Sequence, residues 1–282
     1  MNKSLYLICI LILLGASAFG QEYKWEMVEM DGSRSGCVSP SKDNVAEAIG
    51  RFEGNRYIAP DGKVYRKNSS VARTARAVID AQPKMARVKD VIAYSTEAME
   101  AHRPESALSN WFIDLLMKKT EQYSGKKVHV GITNFGGIRI DMPQGDVILD
   151  DMLSMFPFKN QLVYAEIRGE QLRQILEKMA ARRFEVLGGV RVVAEDGRLV
   201  SAMIEGEPID DEKVYGLATI SFLLNGGDGL SLQDSAVSVK VFDDVDIIDA
   251  VLEYVAEETM AGRPIEYKTD GRVVIKGERR KK

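Results

Sequence analysis

Three short segments carry the residue types best suited to hold a ligand. The first is Asn134-Phe135-Gly136-Gly137-Ile138-Arg139. Two glycines let the backbone turn sharply and let a ligand approach it closely. Arg139 adds a planar fork of donors suited to phosphate or carboxylate. A plain corner between strands with a surface arginine would give the same spacing. The second segment is Phe156-Pro157-Phe158-Lys159-Asn160. Pro157 fixes the backbone and leaves Phe158 in a turn, where it could stack on a flat ligand or plug the edge of the core. The third is Ser221-Phe222-Leu223-Leu224-Asn225-Gly226-Gly227-Asp228-Gly229. Residues 225–229 are too glycine-rich for a helix, and Asp228 offers a carboxylate that can accept hydrogen bonds from sugar hydroxyls or simply sit in a structural turn. The loop lacks the lysine and Ser/Thr of a phosphate-binding loop and the glycine spacing of a dinucleotide fingerprint.

The chain is poor in metal-binding chemistry. It has two histidines in 282 residues, His102 and His129. Hydrolysis by paired metals needs several ligands on each ion, and there is no Asp-x-His pair or Asn-His-Glu segment here. His129 lies in an apolar run and reads as a packed residue, while His102 lies in a loop just before Arg103-Pro104. Cys37 is a lone loop cysteine without a nearby histidine. Asp150-Asp151 and Asp243-Asp244 with Asp246 read as caps of the helices that follow them. No cofactor, metal ligand or catalytic residue is assigned to this chain.

Residues 1–20 read as a secretory signal. Lys3 supplies the positive start, Leu5 to Gly15 an apolar run, and Ala18-Phe19-Gly20 a cleavage site that leaves Gln21 as the mature start. The run is shorter than the roughly 20 residues of a membrane span, although an uncleaved anchor helix is the rival reading. Export to a periplasm or the exterior would leave one cysteine, so no internal disulfide. The formal net charge of −4 gives no basic surplus for nucleic acid. No later segment is apolar and long enough to span a membrane, and residues 278–282 read as a frayed basic tail.

The elements that must position the three segments follow from periodicity. Residues 21–95 read as an arm or linker with a few short strands, including a helix at 71–81 stopped by Pro83 and a strand at 91–94. A domain at 96–277 follows. Leu108, Trp111, Phe112, Leu115 and Leu116 predict a helix at 106–123, capped by Ser106 and ended by Gly125. Strands are predicted at 128–133, 162–167, 214–220, 237–242 and 273–275. A hairpin of 190–193 with 199–204 turns at Glu195-Asp196-Gly197. Helices are predicted at 170–182 and 245–260. Strands and helices alternate, but the hairpin makes the sheet mixed. The fold class is α/β (α+β), a mixed β-sheet with flanking helices.

In order, spacing and flanking strands, these segments resemble the C-terminal, substrate-binding domain of the 5'-nucleotidase family over roughly residues 105–260. The resemblance takes in Glu105 through Asn110 to Asp114, where the family shows Glu-x-x-x-Gly-Asn-x-x-x-Asp. It also takes in Pro157 to Leu162, Gly169-Glu170-Gln171-Leu172, and the Phe-x-x-x-Gly-Gly-Asp-Gly loop. It implies that Phe158 and Phe222 sandwich a nucleobase, Asp228 holds ribose hydroxyls, Asn160 contacts the base and Arg139 the phosphate side. The family often carries an arginine three residues before the position of Glu105. His102 stands there with Arg103 beside it, and the resemblance leaves open which of the two takes that substrate-binding place. Ser109 replaces the usual glycine, and residues 184–189 keep the family pattern loosely. In the family, hydrolysis belongs to a separate metallophosphoesterase domain that holds divalent metals. The expected function is therefore an exported nucleotide- or nucleoside-binding component of a 5'-nucleotidase-type hydrolase. It would act in nucleotide catabolism with a separate metallophosphoesterase chain. The alternative is a stand-alone binding protein without hydrolase activity.

Overall fold

The computed structural model describes residues 45–277, which divide into two units between Ala81 and Gln82. The signal segment, residues 21–44 of the arm with Cys37, and the basic tail lie outside the described residues. The first unit begins with helix α1 (Val45–Ile49). Strands β1 (Arg51–Glu53), β2 (Arg56–Ile58) and β3 (Val64–Arg66) form an antiparallel sheet in that order, and helix α2 (Ser70–Ala81) follows. Its small core is Tyr57 with Ala72 and Ala75, flanked by Ile49, Phe52, Ala59 and Tyr65. The guanidinium of Arg76 lies 3.7 Å over the Phe52 ring, so one cation covers the ring's open face. This part of the expected arm is thus a folded hairpin-and-helix unit.

The second unit opens with a 3-10 segment (Gln82–Lys89) and β4 (Val91–Ser95). The sequence reading placed 91–95 in the arm. Here β4 pairs antiparallel with β6 (Gly145–Ile148), inside the second unit. Helix α3 (Ala107–Ser124) starts at Ser106, whose Oγ accepts from Ser109 N at 3.2 Å while Ser109 Oγ accepts from Ser106 N at 2.9 Å. It ends at Gly125, in the left-handed conformation that a glycine adopts without strain. Beyond the expected apolar face, α3 also buries Ile113, because it packs close to β5 (Val130–Thr133) and β8 (Val186–Gly188). A Cβ on Gly131 would lie 2.7 Å from the Ile113 side chain, so glycine permits that approach.

The main sheet has five strands in the order β13-β7-β12-β5-β8, with β7 (Gln161–Arg168), β12 (Val214–Ile220) and β13 (Ala236–Asp246). β12 runs parallel to β5 and antiparallel to β7, so the sheet is mixed as expected. β5, β7 and β12 are buried on both faces and read as nearly continuous apolar runs, whereas β13 is an exposed edge. A second sheet has the order β11-β10-β9-β14, from β9 (Val190–Glu195), β10 (Arg198–Ile204), β11 (Glu207–Pro208) and β14 (Val273–Lys276). Asp196 and Gly197 both have positive φ at the β9–β10 turn, the primed-turn geometry that Asp-Gly favours.

The remaining helices are α4 (Leu149–Met155), α5 (Gly169–Ala181), α6 (Ser221–Leu224), α7 (Leu232–Ser235) and α8 (Ile247–Met260). Asp151 Oδ2 accepts from Ile148 N at 2.8 Å and so caps α4. The second acidic cluster does not cap α8. Asp243 and Asp244 lie within β13, and Asp246, though at the N-cap position, makes no side-chain cap bond. Its Oδ1 instead accepts from Gln161 Nε2 at 3.4 Å. Among the described residues, no helix is long and apolar enough to cross a membrane.

Candidate functional site

Strand directions bring the three segments to one end of the main sheet. The parallel pairing of Leu217 with Val130 makes β12 and β5 finish together, so the loop after Ile220 emerges beside the loop after Thr133. The antiparallel pairing of Ile220 with Leu162 sets the start of β7, and hence residues 156–160, at the same end. Side chains then tie the loops. Ser221 Oγ accepts from Gln161 N at 3.0 Å, and Asn134 Nδ2 donates to Asp228 Oδ2 at 2.8 Å. Arg139 N donates to the Met155 carbonyl at 3.0 Å.

Phe156 and Phe158 separate into two roles. Phe156 is buried and stacks on Phe112 with ring centroids 4.3 Å apart, which makes it the core plug. Phe158 is 47 % exposed. Its ring has the Arg139 guanidinium 5.8 Å from its centroid and borders a small recess shared with Gly137, Asn160 and Ile220. Asn160 is half-buried, and its carbonyl accepts from Ile247 N at 2.8 Å.

Phe222 lies in α6, a single helical turn rather than open loop, and is 43 % exposed. Its ring rests on Gly227, where a Cβ would come within 2.4 Å of it. Gly226, Asp228 and Gly229 all have positive φ, so this loop coils left-handed around its carboxylate. Asp228 is the strained member, a non-glycine residue at φ 52°, and the Asn134 amide anchors it. Among the described residues no ring contact joins Phe158 to Phe222.

Arg103 is committed elsewhere. Its Nη2 donates to both oxygens of Glu185, at 2.7 and 2.6 Å, and its Nε to the Phe184 carbonyl at 3.1 Å. Glu185 is buried and also accepts from Arg183 Nε at 3.2 Å and Phe135 N at 3.1 Å. The arginine further covers the Phe135 ring at 4.5 Å. It braces the first glycine segment from behind, with only Nη1 left over. His102 is exposed beside it.

Sequence reasoning gave no role to Asn134 or Glu185, whose partners lie 94 and 82 residues away. Only the adjacency of Asn134 to the paired glycines hinted at one. The Glu105 to Asp114 pattern is structural. Asn110 Nδ2 donates to Glu105 Oε2 at 2.8 Å, and Asp114 accepts from both Nη atoms of buried Arg272, at 2.8 and 2.9 Å.

No group of three His, Cys, Asp or Glu side chains among the described residues could hold a metal. His129 Nδ1 accepts from Gly216 N at 2.9 Å, which fixes a neutral ring. Burial, then the charge of Lys127, lowers its pKa. The described residues therefore do not fit a two-metal centre. The loops offer two exposed aromatic faces, an anchored carboxylate and a guanidinium at one sheet end, suited to a flat ring with a polar tail.

The fold and these gathered loops define an α+β domain whose site is built where three strand ends meet. The family model for the 5'-nucleotidase C-terminal domain matches residues 75–234, and the chain belongs to that family. Protein UshA of Yersinia enterocolitica is 31 % identical over 147 residues, which is 50 % of this chain and 26 % of that protein. A 5'-nucleotidase precursor from Thermus thermophilus superposes with a TM-score of 0.64 at 23 % identity, over 82 % of this chain and 48 % of that one. The NAD nucleotidase of Haemophilus influenzae gives 0.52 at 20 % identity, over 78 % and 47 %. The chain thus spans about a quarter of that curated relative and about half of those solved structures.

Proposed function

We propose that this chain is the nucleotide-binding component of an exported 5'-nucleotidase-type hydrolase in nucleotide catabolism. Phe158 and Phe222 hold the nucleobase between their exposed faces. Asn160 contacts its edge, Asp228 accepts from the ribose hydroxyls, and Arg139 faces the phosphate side. Base stacking tolerates many bases, so specificity among them is broad. Arg103 acts through Glu185 and Phe135 to hold the first loop in place. Hydrolysis is supplied by a metallophosphoesterase domain on a separate chain, and residues 21–95 contact it. The observation that carries the binding reading is the Asn134 to Asp228 bond, which draws two glycine loops together beside two exposed aromatic rings.

Calorimetric titration of adenosine and AMP into the chain, with Phe158→Ala/Phe222→Ala as control, tests it. Binding that disappears in the variant supports the pocket. Binding that persists in the variant, or no binding even with a metallophosphoesterase chain added, overturns it. Nucleotide hydrolysis at enzymatic rates by the chain alone would overturn the two-chain arrangement.

A further inference from the structure

The sheet of the first unit has one face against α2 and one open to solvent. Phe52, Tyr57 and Tyr65 line the inner face and pack with Ala72 and Ala75. Side chains alternate along a strand. The outer face therefore carries Arg51, Ile58 and Val64 in one row and Glu53, Arg56 and Arg66 in the next. Arg56 and Arg66 are direct cross-strand partners, an arrangement of like charges that destabilises a sheet. Glu53 faces Arg56 from β1 but does not relieve it, because its carboxylate takes Arg51 Nε at 2.8 Å. Neither Arg56 nor Arg66, nor exposed Lys67 after them, forms an ion pair among the described residues. Residues 45–81 hold seven basic and four acidic side chains, in a chain of formal net charge −4. Screening confines a charge's reach to about 10 Å at 0.1 M salt, so a net charge spread over the whole chain does not cancel a local patch. The face also lies outside residues 75–234, the stretch that the family model matches.

We propose that this face rests on an anionic phospholipid surface and holds the chain there as a peripheral protein, with Arg56 and Arg66 as its main donors. The chemistry of the face selects that partner. Unpaired guanidinium forks make charge-assisted, bidentate bonds to phosphate. Val64, 56 % exposed, and half-buried Ile58 set aliphatic groups beside those cations, as the boundary between headgroups and acyl chains requires. The unit's rings are turned inward, so the face has no platform on which nucleic-acid bases could stack. Its three short strands span only about 10 Å, against the roughly 800 Å² a side that a stable protein partner covers. The proposal is independent of the nucleotide-binding reading, and it leaves the rest of residues 21–95 to the catalytic chain.

The experiment is co-sedimentation with vesicles of phosphatidylcholine alone and of phosphatidylcholine with about 30 % phosphatidylglycerol. It uses the chain from Gln21, so that the apolar run at 5–15 cannot insert. The chain is expected on the anionic vesicles only, and less of it as salt rises. Each basic side chain near such a surface strengthens binding about fivefold, so Arg56→Gln/Arg66→Gln should bind roughly thirtyfold more weakly. Arg168→Gln/Arg198→Gln removes the same charge from exposed arginines of the second unit and should bind as wild type does. Thermal melting without lipid reads the cross-strand repulsion, and Arg56→Gln/Arg66→Gln should melt no lower than wild type. Failure to bind anionic vesicles at low salt, an equal loss in both variants, or tighter saturable binding to double-stranded DNA than to the vesicles would overturn the proposal. So would a markedly lower melting temperature for Arg56→Gln/Arg66→Gln, because the pair would then serve the fold.

Discussion

Asn134 and Asp228 stand 94 residues apart in sequence, yet the amide of one donates to the carboxylate of the other at 2.8 Å. This bond joins the end of β5 to the loop after β12. Asn134 is buried, and its Oδ1 has no partner among the described residues. Asp228 is exposed and holds a left-handed φ of 52°. The buried residue thus tethers the exposed one while it holds a left-handed conformation.

Asn134→Ala removes that anchor. A hydrogen bond to a charged group contributes about 1.5–3 kcal/mol, part of which water restores at an exposed acceptor. We expect a modest loss of stability, on the order of 1 kcal/mol, and about a tenfold loss of adenosine affinity. Thermal melting and calorimetry read the two effects separately. An unchanged adenosine affinity would show that Asp228 holds its place without Asn134.

Gly227→Ala acts on the Phe222 ring without touching its chemistry. The added methyl would lie 2.4–2.6 Å from three ring atoms, so the ring must swing away. Phe222 is largely solvent-facing, and the displacement leaves the core intact. Stability should change by less than about 1 kcal/mol. Adenosine binding should fall toward that of Phe222→Ala, as one stacking face is lost. Tight binding by Gly227→Ala would place the base elsewhere.

Much of this layout was legible in the sequence because it is local. Ser106, the apolar spacing from Leu108 to Leu116, and Gly125 mark α3 within a residue or so of its ends, since caps and periodicity act over a few positions. Asp196-Gly197 fixes the β9–β10 turn for the same reason. What escaped depends on distant pairing. β4 looked like part of an arm because its partner β6 lies some 50 residues on. Asp246 looked like a cap because the pull of Gln161 is invisible in the chain order. The three site segments could be marked as chemically able by their residue types. Their convergence required the parallel register of β12 on β5. Arg103 looked free until Glu185, 82 residues away, claimed its donors.

Asp114→Ala tests the structural reading of the Glu105 to Asp114 pattern. Asp114 on α3 accepts two bonds from Arg272, which also pairs with Asp270, and it accepts from the Tyr267 hydroxyl. Burial first, then that carboxylate, pushes the Tyr267 pKa up, so the hydroxyl stays a donor. Removing one partner of such a pair leaves a buried charge short of compensation and costs about 3 kcal/mol. For a unit of this size that lowers the melting temperature by roughly 10 °C. Arg272→Met combined with Asp114→Leu should recover much of the loss, whereas an additive loss in the double variant would mean the two act independently.

Acidification should expose His129. Its Nδ1 accepts from the Gly216 backbone, and burial with Lys127 nearby lowers its pKa below the ordinary 6.5. The unfolded chain then binds a proton at a pH where the native chain still resists one. Stability from this group is complete above about pH 6.5 and is lost as the pH falls toward the native value. The depressed carboxylates act lower. Glu258, held down to about 2 by Arg263 and then Lys118, loses its contribution only below its ordinary 4.5. The two contributions therefore begin to fail at different pH, His129 below about 6.5 and Glu258 below 4.5. His129→Gln keeps an acceptor for Gly216 without a titrating group. Melting curves of the two proteins should run parallel above about pH 7 and diverge over the interval below about pH 6.5, with the wild type falling faster. Parallel curves throughout that interval would mean His129 takes up its proton without cost to the fold.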